Sequence, residues 1–339
     1  MKVKAINLYT YKEPFKSPIS TPKVKLTHRE SLFTEIVTYS GETYYGECNA
    51  FLTNWYDKET ILTVVNRLRQ WIPQVLHKDM TSFDSWLPYL NQMNDVPAAR
   101  SMVVMAVYQM YNDLHDFEVQ YGATVSGLTN SQIETLLETR PKRIKLKWST
   151  SLIKDLETIR LLNFDCDIAI DANESLTKPS FLQLANVNTS DIIYIEEPFK
   201  ILEDLNDIDM SIFPRIAIDE KALSIEKIQS IIQQYPIQVV VLKPFRLGGI
   251  DRMLNAMKIL KEKNIRFVVG GMYEFGLSRY FTAMLAKEGS YPGDITPHGY
   301  YFSNDIVETS GILKGGMIYF TPLKSNVLYL TKFNDDVWF

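Results

Sequence analysis

In the middle of this chain, ionisable residues recur at a nearly fixed interval: Lys147, Asp171, Glu196, Asp219 and Lys243 stand 24, 25, 23 and 24 residues apart. A strand, a helix and two short connections take up about that length. Each residue ends or interrupts an apolar run, "RIKLKW", "DIAIDAN", "IIYIEEP", "RIAIDEK" and "QVVVLKP" in turn. Runs apolar on both faces are strands of a covered parallel sheet when helical segments separate them, as "SLIKDLETIRLL", "SIEKIQSIIQQY" and "DRMLNAMKILKEK" do here. "TVSGLT" and "RFVVGGMY" extend the series, and "GDIT" supplies a degenerate eighth strand. The expectation is an α/β barrel of the TIM type over residues 123–310. All five residues then sit at one height on the C-terminal rim, where barrel enzymes build their sites.

Within "RIKLKW" side chains alternate, so Lys145 and Lys147 share one face and Ile144 and Leu146 the other. On an exposed edge such lysines discourage strand pairing. On a barrel rim they face the mouth, and each is expected to lower the other's pKa. Singly, an acid after a strand commonly caps the next helix, and a strand-end lysine is commonly solvated. Five such residues on one period are not explained that way.

Residues 1–122 read as an α+β domain. Alternating runs ("KVKAINLYTY", "SLFTEIVTYS", "TYYGECNAFL") precede helical ones ("ETILTVVNRLRQWIPQVL", "SFDSWLPYLNQM", "AARSMVVMAVYQMYNDLHDF"). The tail, about 311–339, reads as strand or loop returning to that domain. A chain of 339 residues with 46% hydrophobic and 22% charged content is an ordinary globular protein large enough for both units. Its net charge of −4 and lack of a basic run remove the electrostatic case for nucleic acid. No run approaches the ~18 apolar residues of a membrane span, and the N-terminus lacks the apolar core of a signal peptide. Two cysteines, Cys48 and Cys166, make no disulfide framework, and reduced thiols in a cytoplasmic protein are expected.

Three converging carboxylates without a histidine suit a hard divalent cation, Mg²⁺ first and Mn²⁺ as the alternative. Two lysines beside it suit proton chemistry next to a substrate carboxylate, the cation taking up charge as an enediolate forms. A lysine base with Mg²⁺ is the known enolase-superfamily pattern, so this step matches an existing system.

The motifs "KLK" (145–147), "DAN" (171–173), "EEP" (196–198), "DE" (219–220), "LKPFRLGG" (242–249) and "GGM.E.G" (270–276) together resemble the muconate-lactonizing branch of the enolase superfamily across the whole chain. "GECNAFLTNWYDKET" and "GDI" at 293–295 are similar to its o-succinylbenzoate synthase / N-acylamino acid racemase subgroup. The resemblance implies a modified barrel, (β/α)7β, under an α+β capping domain. It implies Asp171, Glu196 and Asp219 as metal ligands, Lys147 as base and Lys243 as the lysine on the opposite face, with Lys145 and Arg246 tuning those two. Asn173 would support the site. The loop 17–22 with Ile19, together with Phe51, Leu52, Gly271, Met272 and Glu274, would line the substrate pocket.

The activity implied is dehydration of a hydroxycyclohexadiene carboxylate to 2-succinylbenzoate for menaquinone biosynthesis. The same parts also serve racemisation of N-acylamino acids or epimerisation of dipeptides, and a retained, non-catalytic scaffold is the remaining reading. The expected partner is a small-molecule carboxylate, with self-association left open. "DANES" carries an acid at Glu174 where the pattern has none, and "KWST" and "HGYYF" also depart from it.

Overall fold

The computed structural model describes residues 1–339 apart from 22, 207, 308–309, 323–328 and 334–339. Its strands are β1 (Val3–Ser20), β2 (Lys25–Thr38), β3 (Thr43–Glu47), β4 (Phe117–Gln120), β5 (Gly122–Val125), β6 (Arg143–Lys147), β7 (Asp167–Asp171), β8 (Ile192–Glu196), β9 (Arg215–Ile218), β10 (Ile237–Leu242), β11 (Arg266–Val269), β12 (Ile312–Lys314), β13 (Met317–Phe320) and β14 (Thr331–Lys332).

Strands β5 to β11 form one seven-stranded parallel sheet in sequence order, with a helix after most of them. Outward residues such as Ile144, Leu146, Ile170, Ile195, Ile218 and Leu242 join the large core under the helices. Inward residues make a second, smaller cluster of Ala169, Tyr194, Ala217, Val239, Val241 and Val268. Ala169 is paired with Tyr194 across β7 and β8, so a small residue makes room beside the bulky Tyr194 ring inside the barrel. The eighth strand is reduced to one bridge, Gly270 with Asp294. Gly122 at the other edge lies against the Arg143 guanidinium and the Gly293 carbonyl, where a Cβ has no room.

The capping sheet has the order β14-β1-β2-β3, with β1 and β2 paired antiparallel along most of their length. The tail thus returns to β1 through Thr331 and Lys332, while β12 pairs with β13 and β13 with β4. Helix Pro97–Tyr111 is buried almost all round because it lies between that sheet and the helices after β10. Gly46 on β3 meets the Met102 carbonyl so closely that any side chain would collide with it. Arg100 on this helix is fully buried and grips the barrel, with bonds of 2.8 and 2.7 Å to Asp251 and 2.5 Å to the Gly248 carbonyl. "SFDSWLPYLNQM" breaks into three short turns instead of one helix, Pro88 falling at its centre.

Strand β1 also reaches the barrel. Phe15 bridges Phe302, Lys16 N–H donates to the Tyr301 carbonyl at 2.8 Å, and the Lys16 ammonium donates to the Gly299 carbonyl at 2.8 Å. Among the described residues no helix is long and apolar enough to cross a membrane. Both cysteines are unpaired, Cys48 buried and Cys166 half-buried.

Candidate active site

Register places the rim residues side by side: Lys147 opposes Asp171, and Asp171 opposes Glu196. Asp219 follows β9 directly, and Lys243 follows β10. All five line one cavity of about 400 Å³ together with Lys145. The inward face of β6 carries a column of cations. At its base, Arg143 donates to the Tyr194 hydroxyl at 3.0 Å and to Asp294 Oδ1 at 2.5 Å. Lys145 donates to Asp294 Oδ2 at 2.8 Å and to Glu196 at 3.1 and 3.2 Å. Lys147, at the top, is exposed to the cavity and has no hydrogen-bond partner among the described residues.

These partners overturn the expectation of a depressed pKa for Lys145. Burial alone would lower the Lys145 pKa, but Asp294 and Glu196 reverse that and drive it well above the usual range. Lys145 is therefore a neutralised charge and not a free cation beside Lys147.

The opposite wall is organised around Asp219. Lys243 donates to its Oδ2 at 2.5 Å, and Arg246 donates to its Oδ1 at 2.7 Å and to its carbonyl at 2.5 Å. Burial would raise the Asp219 pKa, yet Lys243 and Arg246 hold it down at about 2. The pKa of Lys243 is in turn raised, Asp219 outweighing its desolvation. Both cations also donate to the Tyr56 hydroxyl, Lys243 at 2.8 Å and Arg246 at 2.6 Å. Tyr56 arrives from the capping domain and gave no periodic signal in the sequence. Asp294, flagged only within "GDI", and the cavity-lining Tyr121, Tyr273, Tyr300 and Tyr301 had no expected role either.

Of the expected pocket residues, Ile19, Asn173, Gly271, Met272 and Glu274 do line the cavity, as do Pro18, Ser20 and Thr21. Pro22, the end of that expected loop, lies outside the described residues. Phe51 and Leu52 are not part of the lining. The chain bends after β3, so Phe51 is buried beneath the Arg29 guanidinium, 4.2 Å from its ring, and packs edge-on to Trp55, Tyr56 and Tyr273. Leu52 points to solvent, 48% exposed. Glu274 is already engaged, accepting from Ser278 and Thr282 hydroxyls at 2.6 Å each and from the Asn49 amide at 3.3 Å. Its carboxylate lies on Gly271, where a side chain would displace it.

The donor set fits a hard divalent cation: three carboxylates from neighbouring strand ends, no thiolate or imidazole, and one shared cavity. Two of the three are engaged by cations of the protein, Glu196 by Lys145 and Asp219 by Lys243 and Arg246, and Asp171 accepts from the Asn173 amide. Among the described residues no three His, Cys, Asp or Glu side chains are gathered closely enough to hold a metal as they stand. Binding there would require the carboxylates to turn from those ammonium partners.

A family model described as enolase C-terminal domain-like matches residues 129–322. The chain is 26% identical to an o-succinylbenzoate synthase of Bacillus subtilis over 94% of its own length and 91% of that protein's. It is also 26% identical to an N-succinylamino acid racemase of Amycolatopsis sp, over 93% and 92% of the two chains. Among solved structures, a dipeptide epimerase of Enterococcus faecalis in complex with Mg and the dipeptide L-Leu-L-Tyr superposes with a TM-score of 0.80. That likeness, at 18% identity over 98% of this chain and 100% of the other, is one of fold.

Proposed function

Because this chain belongs to the enolase C-terminal domain-like family, we propose that it is a metal-dependent carbon–oxygen lyase. The reaction is dehydration of 2-succinyl-6-hydroxy-2,4-cyclohexadiene-1-carboxylate to 2-succinylbenzoate, the step of o-succinylbenzoate synthase in menaquinone biosynthesis. The observation that carries this reading is one cavity into which Lys147 and Lys243 project from β6 and from the end of β10, with three strand-end acids between them.

In this reading Asp171, Glu196 and Asp219 would hold Mg²⁺, with Mn²⁺ as a substitute. When bound, the cation stabilises the negative charge that grows on the substrate carboxylate as the α-proton leaves. Lys147 takes that proton, so the C–H bond breaks. Its electrons form a ring double bond as the C–O bond to the hydroxyl breaks, and the same lysine returns the proton so that water departs. Lys243 faces the growing charge from the far side. Tyr56 orients Lys243, and Lys145 is tied back by Asp294. The reading implies a cytoplasmic enzyme acting on a small carboxylate.

A second reading, racemisation of N-acylamino acids or epimerisation of dipeptides, is favoured by the intact Lys243 and by the likeness to the Amycolatopsis racemase. There, one lysine removes the α-proton and the other delivers one to the opposite face. Assaying the cyclohexadiene substrate and N-succinylamino acids with Mg²⁺ on one purified sample separates the two. Turnover of the amino acids alone would overturn the lyase reading.

A further inference from the structure

Glu174, the acid that the family pattern did not account for, has a partner. The Lys221 ammonium lies 2.5 Å from Glu174 Oε1, 2.6 Å from Glu197 Oε2 and 3.0 Å from the Phe199 carbonyl. Glu197 uses its other oxygen to accept the backbone N–H of Asp219 at 2.7 Å and of Lys221 at 3.2 Å. One lysine and two glutamates thus join the turns after β7, β8 and β9, which follow directly on Asp171 and Glu196 and carry Asp219.

The turns after β7 and β8 are strained. Asn173, Glu174 and Glu197 adopt φ of +46°, +61° and +42°, a region that residues with side chains hold only where their surroundings impose it. Backbone bonds impose part of it: Glu174 N–H donates to the Glu197 carbonyl at 2.7 Å, and Leu176 N–H donates to the Pro198 carbonyl at 3.0 Å. The Lys221 bridge closes the same gap from the side-chain end. Glu174 adds a further acid to a rim that already carries Asp171, Glu196, Glu197 and Asp219, and Lys221 shares its charge between Glu174 and Glu197.

We propose that Lys221, with Glu174 and Glu197, is a strut that fixes the relative positions of the three strand-end carboxylates and so pre-organises them for a divalent cation. Lys221 is a positioning residue: it works through the turns and touches neither substrate nor cation. The inference rests on the reading that Asp171, Glu196 and Asp219 hold that cation.

Mn²⁺ is the probe. Metal-depleted wild type, Glu174→Gln, Lys221→Met, Lys221→Arg and Asp219→Asn are titrated with Mn²⁺, free ion being measured by electron paramagnetic resonance. Melting midpoints in EDTA are recorded alongside. Wild type should bind and Asp219→Asn should not. Lys221→Met should weaken binding about 10–100-fold, the range seen when residues behind metal ligands are lost. Glu174→Gln should weaken it less, and Lys221→Arg should restore most of the affinity. A merely structural bridge would lower the melting midpoint and leave Mn²⁺ affinity untouched, so wild-type affinity in folded Lys221→Met and Glu174→Gln overturns the strut. Should Lys221→Met fail to fold, Glu174→Gln decides alone, because its carboxylate is partly exposed. Absence of Mn²⁺ binding by wild type would remove the cation reading itself, and the strut with it.

Discussion

The ammonium of Lys243 lies 2.5 Å from Asp219 in a buried pair, with the Tyr56 hydroxyl 2.8 Å from the same nitrogen. A lysine held this way stabilises charge readily and gives up a proton only when its carboxylate partner is otherwise engaged. Lys243→Arg keeps the charge but cannot act as a base. Racemisation should therefore be lost more completely than dehydration in this variant. Both activities are measured on the one protein, with solvent-deuterium exchange at the α-carbon of each enantiomer. Normal exchange from both enantiomers would take Lys243 out of proton transfer.

The Lys147 side chain is exposed to the cavity and makes no hydrogen bond among the described residues, so its removal should cost rate and not stability. Lys147→Ala is expected to lower kcat by ~10²–10⁴-fold, the usual contribution of a general base. Its melting midpoint should match wild type. Near-normal turnover would mean that the base lies elsewhere on the rim.

Chelation is the direct test of the acids. EDTA should abolish turnover, and Mg²⁺ or Mn²⁺ should restore it. Full activity in chelated buffer would rule out Asp171, Glu196 and Asp219 as working ligands.

A fourth expectation concerns how the two domains hold together. Glu47 at the end of β3 accepts the backbone N–H groups of Phe275 and Ser278, each at 2.8 Å, and so caps barrel helix Gly276–Ala286 from the capping domain. Burial pushes its pKa up to about 8, the two N–H donors only partly opposing. The folded protein thus binds a proton that the unfolded chain has released above about pH 4.5. This contribution to stability is complete below that pH and is lost as pH rises through about 8. Glu47→Gln should flatten the decline of the melting midpoint across that interval, and an unchanged slope would assign the decline to other groups.

The barrel was legible because its period is local: each βα unit writes its own strand, helix and rim residue into about 24 consecutive positions. Alternation within β6 likewise foretold that Lys145 and Lys147 share a face. What those lysines meet was not legible. Lys145 is neutralised by Asp294, 149 residues away in sequence, across the seam where the barrel closes. Tyr56 reaches Lys243 over a separation of 187 residues from an irregular segment with no period to read. Phe51 and Leu52 were misassigned for the same reason: the bend after β3 has no repeating pattern, and it turns one side chain inward beneath Arg29 and the other to solvent.

The contacts of Phe15 and Lys16 with the segment bearing Tyr300 and Tyr301 bear on how such an enzyme changes specificity over generations. A capping domain transplanted from a relative brings its own residues to positions 15 and 16, and it resets the tyrosine wall of a barrel whose sequence is untouched. Chimaeras should inherit the preference of neither parent. Libraries that randomise one domain at a time would miss variants in which strand and wall shift together.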